Sequence, residues 1–186
     1  MKLLTKNILV AGGVGFIGSH LVKRFVRIGA NVSVVDNLTT GKKENLSEVI
    51  DKIEFIKGDI RDYDLVKKFI RDSESEVIFH FAANASVPNS VKNPKYDFET
   101  NALGTFNLLE ASKDVNIKKF IYASSAAVYG KPVYIPMDEE HPLLPISPYG
   151  ASKLAGEKIG FAYKETYGMP FTSARIFNAY GPGQSR

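Results

Sequence analysis

Six short apolar runs occur along the chain, separated by longer segments in which apolar residues recur with helical spacing. The runs are continuous and rich in β-branched or aromatic residues, which is typical of strands buried on both faces of a parallel sheet. The predicted strands are residues 7–11, 32–35, 53–56, 77–81, 120–123 and 171–177.

Four of the intervening segments carry an apolar stripe with the spacing of an amphipathic helix. The predicted helices cover about residues 17–28, 65–70, 98–109 and 148–167. Gly29 is suited to follow the first helix, and Ser147-Pro148 supplies an N-cap and a first-turn proline for the last one. Strands that alternate with helices imply right-handed βαβ crossovers. The sequence therefore predicts an α/β fold with a doubly wound parallel sheet, as one domain over residues 1–186.

One long connection, between Gly130 and Ser147, interrupts this alternation. It contains several prolines, a residue that is disfavoured in helix interiors and central strands. Connections of this length inside a compact domain are usually functional, so we expect this one to border a site.

A glycine-rich turn joins the first predicted strand to the first predicted helix. Gly12, Gly15 and Gly18 follow a G-x-x-G-x-x-G pattern. This spacing provides a tight turn, a backbone that can approach a pyrophosphate, and a helix N-terminus with unpaired N–H groups. Its position between a strand and a helix favours a dinucleotide site over the alternative, an ordinary glycine-rich turn.

Two acidic residues close the next two predicted strands. Asp36 ends the second strand, where a carboxylate accepts hydrogen bonds from the ribose hydroxyls and repels a 2′-phosphate. NAD is therefore favoured over NADP, and the alternative for Asp36 is a turn residue together with Asn37. Asp59 ends the third strand, where it either reaches the adenine edge or caps the following helix.

Tyr149 and Lys153 are spaced i, i+4 at the start of the last predicted helix, so they share one face. A lysine ammonium beside a phenol favours the phenolate and lowers the pKa of the tyrosine. Such a pair suits general base catalysis on an alcohol whose carbon gives a hydride to a nicotinamide. The alternative is a solvent-facing pair without a chemical role.

Composition and charge narrow the remaining classes of protein. The chain has 186 residues, of which 44% are hydrophobic and 24% charged, as in globular proteins rather than disordered, collagen-like or coiled-coil ones. The absence of cysteine excludes disulfides, thiol catalysis and cysteine–zinc sites, and three scattered histidines do not indicate a metal site. The net charge of +4 is spread along the chain, which does not favour nucleic-acid binding.

The apolar runs also bear on location. None approaches the ~18 residues of a membrane span. The start, Met1-Lys2-Leu3-Leu4, is followed by no signal-peptide cleavage site, so we read it as leading into the first strand. The sequence therefore predicts a cytoplasmic protein that does not engage a membrane.

Taken together, these features resemble the extended short-chain dehydrogenase/reductases that act on nucleotide sugars, above all the UDP-glucose 4-epimerases. The similar segments span the whole chain in order. They are GGVGFIGSHL from Gly12, DNL from Asp36, GDI from Gly58, HFAA from His80, NALGTFNLLEA from Asn101, SSAAVYG from Ser124, SPYGASK from Ser147 and RIFNAYGPG from Arg175. The resemblance implies a Rossmann-type NAD domain and a UDP-sugar substrate.

The resemblance also implies roles for individual residues. Ser125 would hydrogen-bond the reacting oxygen, Tyr149 would act as base and acid, and Lys153 would tune the tyrosine and bind ribose. Asn178 would contact the substrate together with Ser125 and Tyr149, and the alternative for Asn101 is a hydrogen bond inside the fold. Cofactor binding is implied for Gly12, Gly15, Phe16, Ile17, Gly18, Asp36, Asn37, Asp59, Ile60, Phe81, Ala82, Ala83, Asn101, Tyr149, Lys153 and Phe177.

The residues after Ser125 bear on the reaction. The related nucleotide-sugar 4,6-dehydratases carry an acidic pair or a single acid there, whereas this chain has Ala126 and Ala127, which cannot transfer protons. The resemblance therefore favours NAD-dependent epimerisation at C4 of a UDP-hexose, UDP-glucose or UDP-galactose, through a transient 4-keto intermediate. The alternatives are another nucleotide-sugar dehydratase or reductase, and an NAD-binding module without turnover.

The chain departs from the family pattern at three places. Ala85 stands where some members have a lysine, and Ile176 stands where tyrosine is more usual. Members of the family also continue well beyond the position of Arg186, with most of the sugar-binding lobe. We therefore expect a fragment or a shortened form, with little turnover from these residues alone.

A homodimer is the final expectation, because family members commonly pair two long helices into a four-helix bundle. The matching segments are near residues 95–115 and 147–167. Their apolar residues exceed what one inward stripe needs, which favours an interface over the alternative of packing under loops of the same subunit. The residues predicted to face outward are Tyr96, Leu103, Phe106, Leu154, Ile159 and Phe161.

Overall fold

The computed structural model describes residues 6–184, so the predicted role of Met1-Lys2-Leu3-Leu4 lies outside the described residues. The strands are β1 (Asn7–Ala11), β2 (Asn31–Asp36), β3 (Ile53–Lys57), β4 (Val77–His80), β5 (Lys119–Ser125) and β6 (Phe171–Ile176). The helices are α1 (Phe16–Arg27), α2 (Tyr63–Asp72), α3 (Val87–Lys92), α4 (Pro94–Phe98), α5 (Gly104–Ser112) and α6 (Pro148–Tyr167). Of the helices in this part of the chain, none has the length and apolar character needed to cross a bilayer.

The strands form a parallel sheet in the order β3-β2-β1-β4-β5-β6. The order reverses between β1 and β4, and ligands of such sheets bind in the crevice at the carboxyl ends of the strands beside that reversal. The predicted doubly wound α/β fold is therefore confirmed, with the strand order of the Rossmann fold.

Alternate residues of the strands build two hydrophobic layers, one on each face of the sheet. Leu9 of β1 packs with Phe69 of α2, Leu108 of α5 and Tyr163 of α6. The neighbouring Ile8 belongs to the opposite layer, which α1 covers. Burial on both faces explains why the strands appear in the sequence as continuous apolar runs rather than as alternating ones.

The predicted element boundaries agree closely with the structure where a cap defines them. The last helix spans Pro148–Tyr167, and the hydroxyl of Ser147 accepts a hydrogen bond of 3.1 Å from the amide of Gly150. Gly168 follows it in the left-handed conformation, at φ +68°. Among the strands, β2, β3 and β5 extend one or two residues beyond the predicted ends, whereas β4 and β6 finish one residue early and leave Phe81 and Phe177 outside the sheet.

The predicted helix over residues 98–109 is wrong as one continuous element. It consists of α4, a π-helical turn over Glu99–Leu103, and α5. The short α3, which precedes it, was not predicted, since its six residues are too few to show an apolar stripe. Ser86 and Asn93 cap α3 and α4 through their side chains, so local hydrogen bonds rather than periodicity define these short segments.

Candidate active site

The glycine turn after β1 lies at the centre of the crevice. The amide of Gly12 donates to the carbonyl oxygen of Val35 at 2.8 Å, and Gly12 adopts a φ of +82° that favours glycine. A Cβ at Gly12 would overlap the backbone of Ala82, and one at Gly18 would overlap the Gly12 carbonyl. The glycines are therefore required for close packing of β1, β4 and α1.

The N-terminus of α1 points into this crevice with free donors. Gly15 is the N-cap and provides no side-chain cap, so the first-turn amides of Phe16 and Ile17 have no intrahelical acceptor. First-turn amides with the positive end of the helix dipole form a site that suits a phosphate or pyrophosphate. The donor set therefore fits the diphosphate of a dinucleotide.

Asp36 lies at the end of β2, with its carboxylate held by two backbone amides. Its two oxygens accept from Leu38 N at 2.9 Å and from Val14 N at 3.2 Å. Burial raises the pKa of Asp36, and these two amides act in the opposite direction. Each carboxylate oxygen keeps a further lone pair, so a ribose diol can still be bound.

Asp59 follows β3, where its carboxylate is occupied by Arg61. Oδ1 accepts from Arg61 Nε at 3.0 Å, and Oδ2 accepts from Arg61 Nη2 at 2.8 Å and from the Asn37 amide at 3.0 Å. These hydrogen bonds, chiefly those from Arg61, lower the pKa of Asp59 to about 2. The alternative that Asp59 caps α2 is wrong, since Asp62 is the N-cap and accepts from Leu65 N.

The crevice has two halves. In the first, the adenosine half, polar side chains and small residues surround a space that suits an adenosine. Asp59 is not among the residues that border this half. The residues around this half are Gly12, Gly15, Val35, Asp36, Asn37, Thr39, Thr40, Gly58, Ile60, Phe81, Ala82, Ala83, Asn84, Asn89, Tyr96 and Thr100.

The second half, which we call the catalytic half, brings together residues from β5, from α6 and from the segment after β6. Ser125, Tyr149 and Lys153 meet here, together with Phe177 and Asn178, although the chain separates them widely. The residues around this half are Ile17, Phe81, Ala83, Ala85, Val87, Ala123, Ser124, Ser125, Ala126, Ala127, Tyr149, Lys153, Ile176, Phe177, Asn178, Ala179 and Gln184.

Lys153 is 3% exposed, and its ammonium lies 4.7 Å from the centre of the Tyr122 ring. Burial lowers the pKa of Lys153 to about 8, while the carboxylates of Asp97 and Glu157 act in the opposite direction. The residue therefore remains cationic at neutral pH, but with far less margin than an exposed lysine.

Tyr149 differs from its sequence-based expectation. Burial raises its pKa, the nearby Ser125 hydroxyl acts in the opposite direction, and Asp97 adds to the increase. The predicted lowering is therefore wrong for the chain by itself. The physical reason is desolvation of the phenolate, and the Lys153 ammonium faces the ring of Tyr122.

The two serines at the end of β5 have different environments. Ser125 caps the 3₁₀ turn over Ala126–Val128 by accepting from Ala127 N at 3.2 Å, and it borders the crevice. Ser124 is buried, and its hydroxyl has no hydrogen-bond partner within residues 6–184. The structure thus brings Ser125 beside Tyr149 through a backbone turn that the sequence pattern did not reveal.

Asn101 lies one layer behind the crevice rather than at its border. Its side chain accepts from Asn84 N at 2.8 Å and donates to Asp97 at 3.1 Å and to Ser152 at 3.1 Å. It therefore takes the interior hydrogen-bonding position that the sequence left as the alternative. Sequence reasoning missed Asp97, Asn84 and Ser152, although polar residues at 97, 101 and 105 follow an i, i+4 spacing on a buried face.

Only some of the apolar residues predicted to face outward, on the segments near residues 95–115 and 147–167, are exposed. Leu103, Phe106 and Phe161 are 38–39% exposed. Tyr96, Leu154 and Ile159 are instead half-buried, since Ile159 packs against the core and the ring of Tyr96 lies under the Arg61 guanidinium at 4.9 Å.

The chain is similar in sequence and in structure to proteins of one known family. The family model described as GDP-mannose 4,6 dehydratase matches residues 9–186. A putative UDP-glucose 4-epimerase of Methanocaldococcus jannaschii is 48% identical over 178 residues, which are 95% of this chain and 57% of that protein. The chain therefore spans little more than half the length of this curated relative.

Two solved structures are similar over nearly the whole chain. The Thermotoga maritima UDP-glucose 4-epimerase with UDP-glucose has a TM-score of 0.91 at 40% identity, over 96% of this chain and 57% of that one. The Thermus thermophilus UDP-glucose 4-epimerase complex with NAD has a TM-score of 0.90 at 42% identity, over the same two shares.

Proposed function

The chain belongs to the NAD-dependent epimerase/dehydratase family of extended short-chain dehydrogenases, and we propose that it carries the NAD site and the catalytic groups of a UDP-hexose 4-epimerase. One observation carries the choice of reaction. Tyr149 and Lys153 are the only ionisable side chains among the described residues that border the catalytic half of the crevice. The described residues of this site can move a proton at one hydroxyl, and they supply no carboxylic acid beside it.

The cofactor of this site is NAD. The first-turn amides of Phe16 and Ile17 suit its diphosphate, and the carboxylate of Asp36 suits the adenosine ribose while it disfavours the 2′-phosphate of NADP. Ala83 borders both halves of the crevice and Ala82 borders the adenosine half, and these small side chains leave room for a nicotinamide. Bound NAD supplies the acceptor and then the donor of hydride for the sugar carbon C4.

The residues of the chain supply the proton chemistry. Tyr149 accepts the proton of the sugar 4-hydroxyl as C4 becomes a ketone. It returns the proton after the 4-keto sugar has rotated in the site and presents its opposite face. Lys153 stabilises the phenolate, since a cation beside it favours the charged form. Ser125 donates a hydrogen bond to the same oxygen, so the reacting atom is fixed between two hydroxyls.

Dehydration is the second candidate, because the matching family model is described as a dehydratase. That reaction removes water across a neighbouring carbon–carbon bond and needs a further proton donor and acceptor beside the sugar. Ala126 and Ala127 border the crevice next to Ser125 and provide neither. The local chemistry therefore supports epimerisation.

The test is product analysis with the protein that carries this chain. We expect UDP-galactose and UDP-glucose to interconvert with substoichiometric NAD, as followed by proton NMR of the anomeric signals. A 4-keto-6-deoxy product would instead establish a dehydratase, and stoichiometric NADH would establish an oxidoreductase. NAD binding without any product would leave a binding module.

We further propose a homodimer through the exposed apolar residues of the π-helical turn, α5 and α6, in a cytoplasmic protein. Leu103, Phe106 and Phe161 carry this proposal, because adjacent exposed apolar side chains favour association. Leu103→Glu is expected to convert a dimer into a monomer, as measured by light scattering coupled to size exclusion. A wild-type monomer at micromolar concentration would contradict the proposal.

A further inference from the structure

Two buried carboxylates flank Lys153, and the proposed proton transfer uses neither. Glu157 is 1% exposed and pairs with Arg175, with 3.1 Å between Nη2 and Oε2. Asp97 is fully buried, and its hydrogen-bond partners within residues 6–184 are neutral amides and a hydroxyl. Burying a carboxylate without an ion pair costs free energy of folding, so we expect Asp97 to have a role that offsets this cost.

The partners of Asp97 come from three separate segments. Oδ1 accepts from the Asn84 side chain at 2.8 Å and from the Asn101 side chain at 3.1 Å, and Oδ2 accepts from the Ser152 hydroxyl at 2.6 Å. Asn84 directly follows Ala83, which borders both halves of the crevice, and Ser152 directly precedes Lys153 on α6. One carboxylate thereby ties the loop after β4 to the turn of α6 that carries both catalytic side chains.

The charges around Lys153 leave Asp97 as its counter-ion. Tyr149 and Glu157 face it from α6, His80 from β4 and Tyr122 from β5. Burial lowers the pKa of His80 well below its usual value and raises that of Tyr122, so both are neutral. Arg175 pairs with Glu157, whereas Asp97 has no ion pair within residues 6–184, so Asp97 is the unpaired carboxylate whose charge acts on Lys153.

We propose that Asp97 is a positioning residue of the catalytic centre: its carboxylate fixes the start of α6 against the loop after β4 and keeps Lys153 cationic. The role of Asp97 in catalysis rests on the proposed function, whereas the effect of its charge on the titration of Lys153 can be measured in this chain alone. A residue that served packing only would not change the titration of a neighbouring amine, and this difference makes the two roles separable.

The direct test is an NMR titration of the Lys153 side chain in this chain, with the signal assigned by its loss in Lys153→Met. Asp97→Asn keeps the size of the side chain and removes the charge, so the acid dissociation constant of Lys153 is expected to rise at least about tenfold. Glu99→Gln removes the same charge two residues further along and is expected to leave the titration unchanged. An unchanged titration in folded Asp97→Asn would overturn the inference.

Ser152→Ala supplies a second test that applies even if Asp97→Asn does not fold. It removes the link between Asp97 and α6 but keeps the charge, so Lys153 is expected to titrate as in the wild type. In the protein that carries this chain, kcat is expected to fall about tenfold with KM unchanged, and Ser152→Thr is expected to restore it. An unaltered kcat in Ser152→Ala would contradict the positioning role.

The two proposals fail in different ways. A wild type that binds NAD but yields no epimerised product, together with a shifted Lys153 titration in Asp97→Asn, would reject the function and retain the electrostatic role. An active epimerase whose Asp97→Asn variant keeps the wild-type titration and the wild-type pH profile would retain the function and reject the role of Asp97.

Discussion

The two halves of the crevice are built in different ways. In the adenosine half, each carboxylate has one partner close by in sequence and one farther away: Asp36 accepts from Leu38 N and Val14 N, and Asp59 accepts from Arg61 and Asn37. In the catalytic half, Ser125 comes from β5 and Tyr149 and Lys153 come from α6, so the groups that meet there are far apart along the chain.

The electrostatic consequences differ in the same way. Hydrogen bonds lower the pKa of Asp59 to about 2, which stabilises its working charged form. Burial instead lowers the pKa of Lys153 to about 8 and raises that of Tyr149, which disfavours the charged forms that the chemistry uses. Burial also raises the pKa of Asp36, so the carboxylate whose charge is stabilised is Asp59, beside the binding half, while the catalytic half keeps charges that the fold tolerates at a cost.

Removing the catalytic hydroxyl is expected to have the largest effect on this comparison. Tyr149→Phe deletes the proton acceptor while leaving the adenosine half intact. In the protein that carries this chain we expect turnover to fall by about 10²–10⁴-fold, and NAD affinity to stay within about twofold. Steady-state kinetics and calorimetry measure the two quantities, and a parallel loss of both would show that the halves are not separable.

Asp36→Ala tests the binding half in the same terms. The variant loses the acceptor for the ribose hydroxyls, so NAD affinity is expected to fall by about 1.5–3 kcal/mol, and the preference over NADP is expected to shrink. Calorimetry with both cofactors measures this change. Tighter binding of NADP than of NAD by the wild type would contradict the assignment of Asp36.

Lys153→Met tests the cost of the buried charge through the pH dependence of stability. The pKa of Lys153 is about 8 in the folded chain and near 10.4 when unfolded, so the unfolded chain binds more protons between these values. The contribution of Lys153 to stability is thus most unfavourable below about pH 8 and improves as the pH rises toward the unfolded value. We expect Lys153→Met to raise the free energy of unfolding at pH 7, but by less than the roughly 3 kcal/mol that the pKa shift corresponds to, because the variant leaves the Asp97 carboxylate without its counter-ion.

This gain is expected to diminish by pH 10, and urea denaturation at the two pH values measures it. Lys158→Met is the control, because that lysine is exposed on the same helix. A gain that is equal at both pH values would show that the buried charge is not its source.

Arg61→Ala is expected to have the smallest effect. It releases Asp59 from its partner, but Asp59 does not border the adenosine half and the pair is partly exposed, so NAD affinity should change by no more than about fivefold. Arg71→Ala removes another arginine that pairs with a nearby aspartate and serves as the control. A larger loss of affinity would assign Asp59 a direct contact with adenine.

Much of the binding half is predictable from the sequence, because its signals are local. The spacing of Gly12, Gly15 and Gly18 and the position of Asp36 follow from what a strand–turn–helix unit requires around a diphosphate and a ribose. The cap formed by Ser147 and the stop at Gly168 are equally local, and both agree with the structure. The π-helical turn over Glu99–Leu103 is not predictable in this way, because the apolar spacing on either side of it is compatible with one continuous helix.

The sequence by itself determined the alternation of strands with the longer helices, the nucleotide turn and the identity of the candidate catalytic residue types, because each depends on neighbours within a few positions. The tertiary structure alone decided the strand order, the meeting of Ser125 with Tyr149, and the burial that raises the pKa of Tyr149. It also brought Asn84, Asp97 and Ser152 into one network. Burial and charge at a point depend on every element packed around it, and the spacing of residues along the chain does not contain that information.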